Sequence, residues 1–253
     1  MCYVLAFICT TIFHELAHAL AGLFSNSEPV MYHNYVEHLS TTHLSISQKT
    51  GIALAGPLIS LLQGVLAGGW FLSIKKRGLP QLFILWLSIL GFNNFLGYVM
   101  TAPLFQEGDI GKTYLLLHTS LITQLLYAIF AGIGLLIVAN RMSRPFLEFS
   151  YKETWIKPVK AAKNFSFSMI MLPWIIGSVV ITFLYLPMIN VISIIYPIMS
   201  GMIFIYPWQN AVRVKNIRLS TDQRIGGFSL LLFGFLVVLI GVFRWILPPG
   251  IAL

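Results

Sequence analysis

Seven apolar segments of about 20 residues each run through this chain of 253 residues. They cover about 2–24, 51–74, 80–103, 117–140, 166–188, 190–208 and 227–247. About 20 apolar residues suffice for one helical crossing of a bilayer, and spanning segments must satisfy their own backbone hydrogen bonds. The sixth segment contains Pro197 and follows the fifth directly. The pattern therefore predicts an all-α polytopic membrane protein with six to seven transmembrane helices.

Composition supports a lipid environment. Charged residues make up 9% of the chain, whereas an average soluble domain contains about 25%. The formal net charge is +8, but the basic residues lie in the gaps between apolar segments and form no stripe with interleaved aromatics. Gly111-Lys112-Thr113 resembles the end of a P-loop, but Gln106 stands where that motif requires its first glycine. We therefore predict a lipid bilayer as partner, with no nucleic acid and no nucleotide.

The basic residues also predict the orientation of the helices. They follow the second, fourth and sixth segments, at Lys75, Lys76, Arg77, Arg141, Arg144, Lys152, Lys157, Lys160, Lys163, Arg213, Lys215, Arg218 and Arg224. If every segment spans the bilayer, these three loops lie on one side, and positively charged loops are typical of the cytoplasmic side. We predict a multi-pass integral membrane protein with a cytoplasmic N-terminus and the C-terminus outside.

The strongest chemical signal is His14-Glu15-Leu16-Ala17-His18, an HExxH motif inside the first segment. Histidines four residues apart project from one face of a helix and can bind a single Zn²⁺. Glu15 can then take a proton from a water that the zinc activates. Ionisable groups inside membrane segments are costly and occur there mainly for function. A metal site is therefore favoured over a structural polar cluster.

A catalytic zinc site commonly has a third protein ligand, and Asp109 is our candidate. It follows Pro103 at the end of the third segment, on the membrane side where the first segment also ends. The alternatives for Asp109 are a solvated loop acid or a cap of the next helix, and Glu107 is the nearest substitute as a ligand. His33, His38 and His43 lie in a polar loop and are weaker candidates.

Two further features bear on function. Residues 25–50 contain short β-prone stretches at 31–36 and 43–46 around a turn at 40–42, which predict a small β-hairpin or re-entrant loop. Asn93 and Asn94 lie within the third segment. They are candidates for binding substrate or stabilising an oxyanion, although interhelical hydrogen bonds are the commoner use of such amides.

HELAH in the first segment, Ala55-Gly56-Pro57 opening the second, and an Asn…Pro…Asp arrangement ending the third resemble the site-2 protease family of intramembrane zinc metalloproteases. The resemblance implies a three-helix catalytic core at 1–112, with a membrane-associated hairpin at 25–50. About four additional helices would follow over 113–253.

By the same resemblance, His14, His18 and Asp109 would bind Zn²⁺ and Glu15 would be the general base. The chain departs from the family pattern in the spacing of its asparagines from Pro103 and in the order Gly108-Asp109. It also departs in orientation: family members commonly hold the zinc toward the cytoplasm, whereas the charge pattern of this chain puts it nearer the outer side. Either the chain is a divergent branch of the family or the predicted orientation is inverted.

The function expected from these features is an intramembrane zinc-dependent endopeptidase that cleaves membrane protein or peptide substrates. Two alternatives remain open at this point. One is a non-proteolytic transporter or assembly factor that uses the HELAH cluster as a metal or proton site. The other is a zinc-dependent lipid hydrolase.

Overall fold

The computed structural model describes residues 1–186, 197–220 and 227–253, and they form a membrane protein built almost entirely of helices. The first half contains α1 (Cys2–Phe24), α2 (Ile46–Ser73), α3 (Leu79–Thr101) and α4 (Asp109–Leu116). The second half contains α5 (Leu121–Leu147), α6 (Val159–Ser166), α7 (Leu172–Leu184), α8 (Met202–Asn210) and α9 (Leu230–Gly241). π-Helical turns at Phe167–Met171 and Val242–Ile246 join α6 to α7 and extend α9.

The predicted all-α polytopic membrane fold is confirmed. Five helices in the described part of the chain are long and apolar enough to cross a membrane: α1, α2, α3, α5 and the continuous Val159–Leu184. They match the first five predicted segments. The sixth falls partly on 187–196, outside the described residues, and its described helix α8 has only 9 residues. The seventh corresponds to Leu230–Ile246, which is apolar but shorter than 18 residues.

α1 lies at the centre of the molecule and packs against α2, α3, α7 and α9. Small residues let α2 and α3 approach each other closely. A Cβ added at Gly91 would lie 2.5 Å from the Ser60 carbonyl oxygen, and one at Gly64 would lie 2.9 Å from the Phe92 backbone nitrogen. Both distances are too short for a real contact. Close glycine contacts of this kind are a common way to pack membrane helices.

The loops after the second, fourth and sixth segments meet at one end of the molecule. The Arg77 guanidinium forms an ion pair with Glu148 at 3.0 Å. Ser220 donates from its backbone nitrogen to the Ser150 carbonyl and from its hydroxyl to the Arg77 carbonyl. α1 begins at this end, since Cys2 Sγ contacts the Leu79 carbonyl oxygen. The clustering agrees with the charge pattern, and the cytoplasmic location of this end remains a prediction.

A small sheet lies at the opposite end. It contains β1 (Pro29–Met31), β2 (Val36–His38) and β3 (Ile251–Ala252) in the order β2-β1-β3, with antiparallel pairs. The predicted hairpin after the first helix is therefore present, but its strands are not the predicted stretches.

The turn of the hairpin lies inside the stretch predicted as one strand, since the Tyr32 backbone nitrogen donates to the Tyr35 carbonyl. The second predicted strand, 43–46, instead leads into α2. Ser45 caps that helix through a reciprocal capping box with Gln48. A serine followed three residues later by glutamine was the sequence signal for this helix start.

Candidate metal centre

Three side chains from two separate parts of the chain, α1 and α4, meet at one site. His14 and His18 lie one turn apart on the same face of α1, and Asp109 is the first residue of α4. One ligand atom from each lies within 4.8 Å of the others. The structure therefore brings together all three residues that the sequence analysis proposed as ligands.

The three candidate ligand atoms form a nearly equilateral triangle. His14 Nε2 lies 3.0 Å from Asp109 Oδ2 and 3.2 Å from His18 Nε2, and His18 Nε2 lies 3.3 Å from Asp109 Oδ2. Two ligands that are each about 2.0–2.1 Å from a tetrahedral metal ion are about 3.3 Å apart. The triangle thus has the dimensions of one face of a tetrahedral coordination sphere.

Hydrogen bonds on the far side of each imidazole fix where its proton lies. His18 Nδ1 is 2.7 Å from the Ile52 carbonyl oxygen, which can only accept, so this nitrogen carries a proton. The Ser60 hydroxyl donates to the Gly56 carbonyl at 3.1 Å and therefore accepts from His14 Nδ1 at 3.1 Å. In the neutral imidazoles, both Nε2 atoms consequently present lone pairs to the centre of the triangle.

This arrangement leaves three acceptors facing one another. Two imidazole lone pairs and a carboxylate oxygen lie 3.0–3.3 Å apart, and no proton remains between them while both rings are neutral. Acceptors at that distance repel unless a cation lies among them. Two histidines and a carboxylate are a common ligand set for catalytic zinc. His14 and His18 both form the far-side hydrogen bonds that are typical of metal-ligating histidines. The donor set therefore fits a divalent metal ion.

α2 approaches the centre through Gly56. A Cβ at this position would lie 2.2 Å from His18 Nε2 and 2.7 Å from His14 Nε2, which is within the space that a metal ion would need. Gly56 therefore provides a cradle that any larger residue would fill. Tyr98 of α3 closes another side by stacking on His14, with ring centroids 5.3 Å apart.

The loop between α3 and α4 delivers Asp109 to the site. A Cβ at Gly111 would lie 2.4 Å from the Phe105 carbonyl oxygen, so a glycine is needed for this loop to fold back on α4. Burial raises the pKa of the Asp109 carboxyl, but the imidazoles of His18 and His14, when they are protonated and donate to it, hold that pKa well below its usual range. An ionised carboxyl is the form that a metal ligand requires.

Glu15 is buried beside the ligands, with 7% of its surface exposed. In the described part of the chain, its carboxylate has no hydrogen bond and no ion pair. It therefore keeps the capacity to accept a proton from a water at the metal centre. This location matches the general-base role that the HExxH pattern predicts.

The other candidate ligands lie away from the centre. Glu107 is exposed, and so is His43. His38 Nδ1 forms a hydrogen bond of 2.7 Å with the Ser27 hydroxyl. His33 packs against the aromatic rings of Tyr185 and Phe243. Burial lowers the pKa of both His33 and His38, and the Arg244 guanidinium lowers the pKa of His33 further.

The two asparagines differ in their surroundings. The Asn93 amide nitrogen donates to the Ser200 carbonyl at 3.3 Å, which is an interhelical use of the side chain. Asn94 is buried, and its Oδ1 has no hydrogen-bond partner among the described residues. Asn94 lies one helical turn before Tyr98, on the side of α3 that carries the ring stacked on His14.

Several site residues had no assigned role in the sequence analysis. Ser60 and the Ile52 carbonyl orient the two imidazoles, and Gly56 leaves the space that a metal ion would need. Their common signal is spacing, because Ile52, Gly56 and Ser60 recur every four residues along α2 and so form one face.

No family model, curated protein sequence or solved structure matches this chain.

Proposed function

We propose that the protein is an intramembrane zinc-dependent endopeptidase. The observation that carries this proposal is the triangle of acceptor atoms from His14, His18 and Asp109, with the Glu15 carboxylate beside it and without a hydrogen-bond partner among the described residues. The resemblance of HELAH and its surroundings to the site-2 protease family gives independent support from the sequence.

Two histidines and one carboxylate also suit non-haem iron, so the ligand set alone does not select zinc. The adjacent Glu15 favours zinc, because a carboxylate next to the ligands serves a hydrolytic reaction that needs a general base. Zinc also favours the tetrahedral arrangement that the 3.0–3.3 Å triangle fits.

Each residue has a defined part in the proposed reaction. When bound, Zn²⁺ acts as a Lewis acid that polarises a peptide carbonyl and increases the acidity of water. Glu15 takes the proton from the attacking water and later returns it to the leaving amine. Ser60 and the Ile52 carbonyl keep the imidazole lone pairs directed inward. Asn94 is the candidate among the amides for contact with the substrate backbone.

The location of the site suggests the substrate class. His18 lies six residues before the end of α1, so the centre is about 9 Å along the helix from that end. A substrate segment at that depth belongs to a membrane protein or a membrane-embedded peptide. β2 is one of the two outer strands of the sheet at this end. Its outer edge pairs with no strand of the described residues and can hold an unwound substrate in extended form by β-augmentation.

The test is reconstitution of the purified protein in proteoliposomes with a mixture of single-span membrane peptides in H₂¹⁸O. We expect new peptide C-termini that carry one ¹⁸O atom, about one zinc per chain, and loss of both zinc and cleavage in His14→Ala. Glu15→Gln should keep the zinc and lose cleavage by at least about 100-fold, since general-base catalysis contributes at least that factor.

Cleavage that persists in Glu15→Gln would refute the mechanism. Iron in place of zinc would refute the cofactor assignment. A hydrolysed lipid, with all peptides intact, would replace the endopeptidase with a lipid hydrolase, and zinc binding without any hydrolysis would favour a transporter or assembly factor.

A further inference from the structure

Glu15 lies to one side of the two histidines on α1. Successive helical residues are about 100° apart, so Glu15 is about 100° round the helix from His14 and about 60° from His18, the two side chains that bond to α2. Val4 and Thr11 share its side of α1. Val4 lies against Gly177 of α7, and the Thr11 hydroxyl is 3.3 Å from the Tyr185 hydroxyl just after α7. The general base therefore lies between the metal centre and α7.

Tyr185 is the polar group that α7 brings to this side. Its hydroxyl contacts Thr11, and Thr11 lies one helical turn from Glu15, a separation of about 5–6 Å between Cβ atoms. Side chains on a helix lean towards its N-terminus, which brings the Glu15 carboxylate towards the level of Thr11. The phenol is thus close to the carboxylate, although the structure has no direct hydrogen bond between them.

The Tyr185 ring is held from several directions. It is 5% exposed, and it packs against Phe243 with ring centroids 5.6 Å apart and against His33 at 6.1 Å. These contacts come from the turn after α9 and from the hairpin. A buried phenol fixed by three separate elements is pre-organised, so its hydroxyl can donate without loss of side-chain freedom.

We propose that Tyr185 is a positioning residue for Glu15, with the Tyr185 hydroxyl donating a hydrogen bond to the Glu15 carboxylate directly or through one water. In this arrangement the Thr11 hydroxyl donates to the phenolic oxygen of Tyr185, and the phenolic proton of Tyr185 is then free to bond Glu15. Hydrogen bonds of this kind are often long before substrate binds and shorten in the reacting complex. The inference rests on the proposed function, and it assigns a role to a helix outside the three-helix core at 1–112.

The experiment uses Tyr185→Phe in the full chain, with the proteoliposome assay on the most rapidly cut single-span peptide. We expect kcat to fall by about 10- to 100-fold, the usual loss when a residue that orients a catalytic group is removed. KM, zinc content and melting temperature should stay at the wild-type values, because the ring and its packing are kept. Thr11→Val should lower kcat in the same direction by a smaller factor.

Tyr3→Phe is the matched control. Tyr3 is also a buried phenol between α1 and α7, as its contact with Gly177 shows, but it lies about 18 Å further along α1 from Glu15. This variant should keep the wild-type kcat. In a cycle with Glu15→Asp, the Tyr185→Phe change should lose most of its effect, since the two residues act together.

A wild-type kcat in Tyr185→Phe, with Glu15→Gln inactive, would overturn the inference and leave the proposed function intact. Equal losses in Tyr185→Phe and Tyr3→Phe, or a loss that follows melting temperature and zinc content, would assign Tyr185 to packing alone. Absence of cleavage by the wild type would remove the proposed function and, with it, this role.

Discussion

Asp109 and Glu148 are two carboxylates with nearly equal exposure and different partners. Their side chains are 20% and 18% exposed. Glu148 faces the guanidinium groups of Arg77 and Arg144, at 3.0 Å and 3.4 Å. Asp109 faces two imidazole nitrogens at similar distances, and in the neutral rings the far-side hydrogen bonds place the protons away from it.

The difference shows how a partly buried carboxylate can be paired with cations of the chain at one end of a molecule and left among other acceptors at the other. Glu148 is neutralised by cations that the chain supplies, so its site is complete. Asp109 and its partners form a set of acceptors that is complete only when a cation is added. Charge and burial alone do not separate the two cases, whereas the direction of the imidazole protons does.

Removing each carboxylate is the strongest test of this contrast. Asp109→Asn should weaken zinc binding more than the loss of a residue that only orients a ligand, which typically costs roughly 10- to 100-fold in metal affinity. Glu148→Gln should keep the wild-type zinc content but lower the free energy of unfolding by about 1–3 kcal/mol, because it leaves Arg77 without its anion. Zinc content and thermal unfolding of the purified variants measure both effects. Equal zinc content in the two variants would contradict the comparison.

A second test fills the metal centre without changing any charge or ligand. Gly56→Ala places a methyl group where His18 Nε2 would be 2.2 Å away, so we expect zinc content to fall by at least about 10-fold. Gly69→Ala is the control on the same helix, since a Cβ there meets nothing within 4 Å. The alanine at 69 should leave zinc unchanged. Normal zinc in Gly56→Ala would mean that the metal does not lie within the triangle.

A third change sharpens the argument about the imidazole protons. Ser60→Ala removes the oxygen that accepts from His14 Nδ1 and lets that ring turn or shift its proton. We expect about 10-fold weaker zinc binding in a competition titration with a chelator, at the lower end of the usual range. Ser73→Ala, at the far end of α2, removes a hydroxyl that donates to the Trp70 carbonyl within its own helix, and this variant should bind zinc normally.

The sequence predicted most of the fold because a membrane helix is a local property. Length and hydropathy alone located the first five spans, including the two that enclose HELAH and the asparagines. The strands of the hairpin were misplaced because Tyr32 and Tyr35 are good strand residues that here form a turn. β3 comes from the far end of the chain, and its pairing with β1 has no local signal.

The candidate site likewise contains some residues that the sequence predicts and others that it does not. His14, Glu15 and His18 were predictable, because their spacing is fixed by one helix. Asp109 was proposed from a predicted break after the third helix and from membrane sidedness. The roles proposed for Gly56, Ser60 and Tyr185 were not predictable, since they depend on how α2 and α7 pack against α1, and interhelical packing is set by many residues together.

The metal centre joins positions 95 residues apart, with α2 and the whole of α3 between them. During synthesis, α1 therefore enters the bilayer carrying two imidazoles and a carboxylate whose partners have not yet been made. Ile52 and Ser60 arrive with the second helix, and Asp109 only after the third. A nascent chain cannot complete the candidate metal centre before that stage, so the proposed activity would be absent throughout its own insertion.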